Sequence, residues 1–451
     1  MNARTRPPVL PPPPPLQLPP VQRHRLTNAL DVYIVERREL PVVDARLMVR
    51  GGGYDDPPAF AGRAFLLGDL LDQGTTTRTA FDIADQAELL GASLETRASW
   101  DAFAAALHVL TPRLEPALDL LADVITRAAF PEAEIERARS ERLAAILQEN
   151  DEPRSIATRA FNRHAYGHAH PFAAPLAGTR TTIEALRRDD LLSLHADRFS
   201  PAHAFLVLVG DVSADRVLPL VESLLAGWAT PAVDPTPGYE TLPQSPAEVH
   251  IVDRPGAPQS ELRVGLPGPR RDTDDYFPLL VANTVLGGAF TSRLNMRLRE
   301  EKAYTYGAGS SFALRAGGGP FVASTAVATP ATADATDVIV TEITRMTEEP
   351  VPAAELERAK NYIILGLPRT FETTGNIAEH VSEVALYGLG LDYYDTYAAR
   401  VAAVSAADVQ AASARWLKAE RLTIAIAGDT AAIREDLESL NMGAVHVEQS
   451  G

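Results

Sequence analysis

Two stretches near the start of the chain alternate apolar and polar residues. Residues 26–36 and 42–49 have this two-residue period, which is typical of half-buried strands in a hairpin. Farther along, the period lengthens to that of amphipathic helices in four segments: 63–72, 81–90, 113–129 and 132–147. A strand-like stretch at residues 93–109 separates the second of these helices from the third. The pattern predicts a sheet with helices packed against it.

The second half of the chain repeats the order of the first. The segment PEAEIERAR at residues 131–139 is echoed by PAAELERAK at 352–360, and FLVLVGD at 205–211 is echoed by TIAIAGD at 423–429. Two echoes in the same order and at nearly the same offset indicate a duplicated domain. The expected fold is therefore α+β, with two duplicated domains, each a mostly antiparallel sheet covered on one face by helices.

Changes in composition give the expected domain boundaries. Proline and small polar residues are concentrated at the start of the chain and again near its middle, which is typical of extended tails and linkers. The predicted units are a proline-rich tail at 1–21, an N-terminal domain at 22–230, a linker at 231–247, a C-terminal domain at 248–445 and a short tail at 446–451.

Composition and charge exclude several functional classes. The chain has 451 residues, a net charge of -17 and no cysteine. The lack of cysteine excludes disulfides, thiolate metal sites and a cysteine nucleophile. The acidic balance offers nothing to a phosphate backbone, so no nucleic-acid partner is expected. No apolar run reaches the ~18–20 residues that cross a bilayer, so no membrane span is expected.

The most specific segment lies in the second half, at residues 286–306. Its sequence, LGGAFTSRLNMRLREEKAYTY, combines a glycine turn, a predicted helix ending near Arg299, and Tyr306 seven residues later at the start of a predicted strand. This order resembles the insulinase and mitochondrial processing peptidase family, whose bacterial members carry two such domains in one chain. The resemblance extends from Leu26 to Asp429. In that family the arginine and tyrosine face a zinc ion held by the other domain, which implies the same role for Arg299 and Tyr306.

A guanidinium and a phenol suit peptide hydrolysis for a physical reason. Attack of a metal-bound water on a peptide builds negative charge on the carbonyl oxygen, and hydrogen-bond donors aimed at that oxygen lower the barrier. The alternative interpretation is a surface arginine at a charged helix end and a strand tyrosine that only packs. The surrounding motif favours the catalytic role for Arg299 and Tyr306.

The resemblance also locates a zinc motif that this chain lacks. Catalytic members of the family hold zinc with a helical His-x-x-Glu-His motif in the first domain. The flanking segments GGGYDDPP at 51–58 and Gly-Thr at 74–75 are similar to those of the family. Counting back from the second of them, the motif positions carry Phe65, Gly68 and Asp69 instead of two histidines and a glutamate. A single aspartate is a poor zinc site.

The family's third zinc ligand, a glutamate in a later helix, aligns with Ala145. Glu141 and Glu149 lie four residues to either side of Ala145 and would have no histidines to work with. We interpret both as solvated helix residues. No metal is therefore expected in this chain, and zinc is expected in a partner subunit.

Five further residues have side chains that could bind a metal. His164, His168 and His170 form the densest group of histidines in the chain and could bind a transition metal adventitiously. Their spacing is not helical, and the segment resembles a loop of the family, which favours an ordinary loop. His380 and Glu383 form a pair on a predicted helix, for which a structural role is expected.

Loss of the zinc motif together with retention of Arg299 and Tyr306 predicts a non-catalytic subunit of a heterodimeric zinc metallopeptidase. In heterodimeric relatives one subunit carries the zinc motif, and the other supplies the arginine and tyrosine in trans. The two subunits enclose a chamber for extended peptides. By this resemblance the expected partners are a zinc-bearing subunit of the same family and an extended peptide substrate.

Two alternatives stay open at the level of sequence. The chain could be a purely structural or peptide-binding subunit, comparable to the core subunits of the respiratory cytochrome bc complex, which share the fold without hydrolysing peptides. An unaided hydrolase is the other alternative, and no motif supports it. The proline-rich start resembles the mature ends of exported bacterial relatives, which favours the periplasm over the cytoplasm.

Overall fold

The computed structural model describes residues 19–228 and 245–449. The predicted proline-rich tail and the predicted linker at 231–247 therefore lie almost entirely outside the described residues. No helix in the described ranges combines the length and the apolar character that crossing a bilayer requires.

The first half forms a six-stranded mixed sheet. Its strands are β1 (Gln22–Arg25), β2 (Asp31–Glu36), β3 (Val42–Arg50), β4 (Ser93–Ala98), β5 (Ala102–Leu110) and β6 (Ala204–Gly210). They lie in the order β1-β2-β6-β3-β5-β4, and only β2 and β6 run parallel to each other. The predicted strand at 93–109 is in fact β4 and β5. The stretch is divided by a turn, in which the Ser99 hydroxyl accepts hydrogen bonds from the backbone N–H groups of Asp101 and Ala102.

Eight helices accompany the first sheet: α1 (Arg63–Leu70), α2 (Ala80–Leu90), α3 (Leu114–Thr126), α4 (Glu132–Asp151), α5 (Pro153–Tyr166), α6 (Arg180–Ala185), α7 (Arg188–Arg198) and α8 (Ala214–Leu225). Local sequence sets several of their ends. The Thr79 and Asp82 side chains cap the start of α2, and Gly91, with a φ of 61°, ends it. Pro153 has no N–H to continue α4, so it starts α5 instead.

The second half repeats this sheet. Its strands are β7 (Glu248–Asp253), β8 (Gln259–Gly268), β9 (Ala308–Phe312), β10 (Gly319–Ala328), β11 (Thr423–Gly428) and β12 (Ala444–Gln449). Their order is β12-β7-β11-β8-β10-β9, which matches the first sheet except that the edge strand comes from the opposite end of the half. The predicted tail at 446–451 thus begins inside β12, which pairs in parallel with β7.

The helices of the second half are α9 (Tyr276–Asn283), α10 (Arg293–Asn295), α11 (Thr332–Glu348), α12 (Ala353–Thr370), α13 (Thr374–Tyr387), α14 (Tyr393–Ala403), α15 (Ala406–Trp416) and α16 (Thr430–Ser439). Two π-helical turns, Thr284–Gly288 and Met296–Glu301, flank α10. The α+β class with two duplicated domains is confirmed by this architecture.

Each sheet packs against its own helices on one face and against a helix of the other half on the second face. On β6, Leu206 and Leu208 face the helices of the first half, while Phe205 and Val207 pack in the core of the second half. Alternate residues of a strand point to opposite faces, so a strand covered on both faces is apolar throughout, as all seven buried residues of β6 are.

The two helices that cross over are α5 and α13. In α5, Ala157 and Phe161 pack against Val252, Ala425 and Ala427 of the second sheet. Helix α13 lies against β3 and β6 of the first sheet. The two halves therefore exchange equivalent helices. Helices were predicted on one face of each sheet, but they cover both faces.

Candidate functional site

Arg299 and Tyr306 lie at the rim of one cleft in the second half. Arg299 belongs to the π-helical turn Met296–Glu301, and Tyr306 stands two residues before β9. Between them Ala303 has a φ of 54°, a left-handed conformation that turns the chain from helix to strand. Both residues line a cleft of about 630 Å³. The structure thus brings the two predicted residues to the same site.

The exposure of this pair differs from that of packing residues. Tyr306 is 97% exposed, so its ring does not pack in the core of this chain. The Arg299 guanidinium lies over the Phe290 ring, with its carbon 4.6 Å from the ring centroid, and its Nε is 3.4 Å from a Glu300 oxygen. Phe290 is itself 62% exposed. An arginine held on an exposed aromatic ring beside an exposed phenol forms a surface that can contact another molecule.

The inner wall of the cleft is formed where α5 meets the second sheet. Arg154 of α5 and Arg263 of β8 line it together with Glu261. Arg263 is buried, and it donates hydrogen bonds to Glu261 at 2.8 Å and to the Thr158 hydroxyl at 3.1 Å. Sequence reasoning missed Arg154 and Arg263 because α5 reaches this sheet from the other half. With Arg299, they give the cleft three guanidinium groups, which suit carbonyl and carboxylate oxygens.

The positions aligned with the zinc motif lie on two helices that pack together. Phe65, Gly68 and Asp69 belong to α1, and Ala145 belongs to α4, which contacts α1. Among these four residues only Asp69 carries a donor atom that could bind a metal. This donor set does not fit zinc, which needs three or four nitrogen, sulfur or oxygen ligands from the protein.

The packing of Gly68 also leaves no room for a side chain. A Cβ atom added there would lie 2.4 Å from the Ala98 backbone nitrogen and 2.6 Å from the Arg97 carbonyl carbon of β4. Gly287 holds the equivalent place in the second half, where a Cβ would lie 2.3 Å from the Ser310 nitrogen of β9. In both halves a helical turn is thus pressed directly onto the edge strand of its sheet.

A buried arginine occupies the surroundings of Asp69. The Arg142 guanidinium forms two hydrogen bonds with the Glu149 carboxylate, at 2.6 and 2.8 Å, and a third with the Ala177 carbonyl at 2.8 Å. The Asp69 side chain is exposed, but partial desolvation by the surrounding protein, followed by the negative charge of Asp72, raises the pKa of Asp69 to about 6, against the opposing effect of Arg142. Glu149, which sequence reasoning interpreted as a solvated helix residue, is therefore an ion-pair partner.

The three clustered histidines point in different directions. His164 faces Glu448 of β12, with its Nε2 3.0 Å from a carboxylate oxygen. His170 is buried, and its Nδ1 accepts a hydrogen bond from the Phe172 backbone at 3.1 Å. His168 is exposed. They form no common metal site.

The pair on α13 belongs to a polar network. The His380 Nδ1 lies 2.9 Å from the Tyr394 hydroxyl, and Glu383 accepts hydrogen bonds from Arg271 at 3.0 and 3.1 Å. These contacts give His380 and Glu383 the structural role that was expected.

The two six-stranded sheets, each covered by helices on both faces, define a two-domain α+β protein. The model of the insulinase family, peptidase family M16, matches residues 32–180, and the model of the peptidase M16 inactive domain matches residues 185–363. These two models of one family together span most of the chain. The chain belongs to the insulinase family of peptidases.

Individual relatives agree with this assignment. An uncharacterized zinc protease of Mycobacterium leprae is 29% identical over 325 residues, which cover 70% of this chain and 72% of the relative. One from Streptomyces coelicolor is 25% identical over 387 residues, covering 84% of this chain and 83% of the relative.

Solved structures resemble the chain over most of its length. The crystal structure of a peptidase M16 inactive domain from Pseudomonas fluorescens has a TM-score of 0.85 at 26% identity and covers 91% of this chain and 98% of that chain. A protease from Helicobacter pylori has a TM-score of 0.84 at 18% identity, over 91% of this chain and 100% of that chain, which shows the shared fold. The similarity to both structures extends over the two halves of the chain.

Proposed function

We propose that this chain is the non-catalytic subunit of a heterodimeric zinc metallopeptidase and that it donates Arg299 and Tyr306 to the active site of its partner. The observation that carries the proposal is the nearly full exposure of Tyr306 at the rim of an arginine-lined cleft. A tyrosine ring costs free energy when left in water, so an exposed one at a cleft suits contact with another molecule.

The state of the first half supports a role in trans. Asp69 is the only potential ligand at the motif positions, and Gly68 is packed too closely against β4 to be replaced by a catalytic glutamate without a shift of α1. Relatives of this chain are described as zinc proteases. The zinc and its activated water would therefore come from a second subunit of the same family.

The chemistry of the pair suits the transition state of peptide hydrolysis. Negative charge develops on the carbonyl oxygen when water attacks, and the Arg299 guanidinium and the Tyr306 hydroxyl can both donate hydrogen bonds to it. Phe290 beneath the guanidinium restricts its motion, which reduces the entropy lost on binding.

The cleft also suits the backbone of an extended peptide. Strand β9 lies at the edge of its sheet and pairs within it only with β10. Arg154 and Arg263 add donors for peptide carbonyl groups or a terminal carboxylate. We therefore propose extended peptides as the substrate class.

The test is reconstitution with an insulinase-family subunit from the same genome that has an intact His-x-x-Glu-His motif. Arg299→Ala and Tyr306→Phe should each lower kcat/KM of the pair by about 10²–10³-fold, the usual effect of removing one oxyanion donor. Assembly of the pair, measured by gel filtration, should be unchanged.

Arg297→Ala is the matched control. Arg297 lies on the same helical turn and pairs with Glu301, but it does not line the cleft of Tyr306. Turnover of the pair that contains Arg297→Ala should stay near that of the wild-type pair. Unchanged turnover in Arg299→Ala, with assembly intact, would contradict donation in trans and support a purely structural or peptide-binding subunit.

A further inference from the structure

Two neighbouring strands of the second sheet present histidines and glutamates on one face. Strand β7 carries Glu248 and His250, and β12 carries His446 and Glu448. The strands are parallel, and His446 lies directly beside His250. Alternate residues of a strand share a face, so all four side chains lie on the same side as Val252, which packs against α5. The first half therefore covers this face.

His164 at the end of α5 completes the group. Its ring stacks on the His250 ring, with centroids 3.5 Å apart, and its Nε2 lies 3.0 Å from a Glu448 oxygen. One donor atom from each of His164, His250 and Glu448 lies within 4.8 Å of the others. In the described ranges no other group of three such side chains is this close.

His250 is the member of the group that most indicates a missing ligand. It is 5% exposed, and its Nε2 makes no hydrogen bond, although a Glu248 oxygen is 3.3 Å away. Leaving a buried polar atom without a partner costs free energy, so such atoms are rare in folded proteins.

We propose that His164, His250 and Glu448 bind one divalent transition metal of the zinc class at the seam between the two halves. Two imidazoles and a carboxylate are a common zinc donor set, and a water or His446 can complete a tetrahedron. Binding turns the two imidazole rings out of their parallel stack so that both nitrogen lone pairs reach the ion. Glu248, with a carboxylate oxygen 3.3 Å from the His250 Nε2, adds a further oxygen donor beside the ion.

This site is separate from the degenerate zinc motif and from the Arg299 cleft. It joins α5 of the first half to the last strand of the second, so the metal would fasten the two halves together. Arg163 pairs with Glu448 and competes with the metal for that carboxylate. His164 and Glu448 are each about one quarter exposed, which gives the ion a path from solvent.

The experiment uses the full-length, untagged chain after treatment with a chelator. Titration with Co²⁺, followed by visible absorption, and with Zn²⁺, followed by calorimetry, should show one ion per chain and the spectrum of tetrahedral Co²⁺. His164→Ala and Glu448→Gln should each weaken binding by more than about 100-fold, since loss of even an outer-shell partner costs 10–100-fold. The ion should also raise the thermal midpoint of the wild type but not of these variants.

Two control variants test whether the ion binds at this site rather than elsewhere in the chain. His108 pairs with Asp44 at 3.1 Å but, among the residues that the structure describes, has no third donor close enough to share an ion, so His108→Ala should bind the metal like the wild type. Asp69→Asn should also leave binding unchanged. Absence of saturable binding, or equal affinity in His164→Ala, would overturn the proposal. Loss of binding in Asp69→Asn alone would assign the ion to the degenerate motif and would equally overturn it.

Discussion

Asp69 has a raised carboxyl pKa although its side chain is exposed. It stands at a position where the family resemblance predicts a zinc ligand, and it has two acidic neighbours, Asp72 and Glu141, and one basic neighbour, Arg142. Partial desolvation by the surrounding protein and the charge of Asp72 outweigh Arg142, and the pKa of the carboxyl rises from its ordinary 3.8 to about 6. The folded state therefore favours the protonated form of Asp69 more than the unfolded state does.

Replacement of Asp69 by asparagine should stabilise the protein slightly at neutral pH, because solvent screens much of the charge of an exposed carboxylate. A folded-state pKa above the ordinary value gives stability that is present below pH 3.8 and lost as the pH rises through about 6. The neutral amide of Asp69→Asn avoids this loss. The variant should thus match the wild type toward pH 3.8 and exceed it above pH 6, as measured by urea unfolding across that range.

Asp82 provides a control of opposite sign. Its hydrogen bonds with the Thr79 backbone and hydroxyl at the start of α2 lower the pKa of the Asp82 carboxyl. Its charge therefore stabilises the fold at neutral pH, and Asp82→Asn should lose stability there. Equal stability of Asp69→Asn and wild type at every pH would show that the charge of Asp69 is fully solvated.

At the scale of elements, the close contact between α1 and β4 depends on a glycine. Helix and strand touch through Gly68, and the second half has the same contact through Gly287. A glycine at each place allows the backbones to approach closely. The first half therefore shares the local packing of the second half at this contact.

Alanine usually stabilises a helix relative to glycine, but Gly68→Ala should destabilise this protein. The new Cβ would meet the backbone of β4 at 2.4 Å, so α1 must move, and the free energy of unfolding should fall by about 1–3 kcal/mol. Gly366 in α12 has open space around it, and Gly366→Ala should raise the free energy of unfolding by about 0.5–1 kcal/mol. Urea unfolding of both variants measures the difference. A stabilised Gly68→Ala would mean that the helix and strand are loosely packed.

Most elements of this fold could be predicted from periodicity, while their pairing could not. The echo of residues 131–139 in 352–360 correctly indicated two equivalent domains, because α4 and α12 begin at these segments. The continuous apolar run of β6 shows that both of its faces are buried, but it does not show that α13 covers one of them. A helix that contacts a distant half has the same amphipathic pattern as one that contacts its own.

The same limit applies to the candidate sites. Arg299 and Tyr306 lie seven residues apart, so a local motif was sufficient to place both at one cleft. His164, His250 and Glu448 are separated by many elements, and only the crossing of α5 onto the second sheet brings them together. Sequence alone grouped His164 with His168 and His170, which point elsewhere.

At the scale of the whole molecule, the exchange of α5 and α13 makes each half part of the other's core. The second sheet buries Val252, Ala425 and Ala427 against α5. Without α5 these residues would face water, so the second half cannot keep its packing if the first half unfolds. The two halves should therefore unfold as one cooperative unit, although a chain of this size could hold two independent domains.

Phe161→Ala tests this cooperativity. Phe161 of α5 is 1% exposed and belongs to the core that joins α5 to the second sheet, so its truncation should cost about 3–5 kcal/mol. Calorimetry should show a single transition at a lower midpoint, and hydrogen exchange should speed up in β7 and β11 although the substitution lies in the other half.

Phe81→Ala, at a position 76% exposed on α2, removes the same side chain without a cavity and should leave both measurements nearly unchanged. Two separate transitions, with β7 and β11 still protected, would show that the second sheet stands without α5. The seam that holds the histidines would then be a contact surface between domains rather than a shared core.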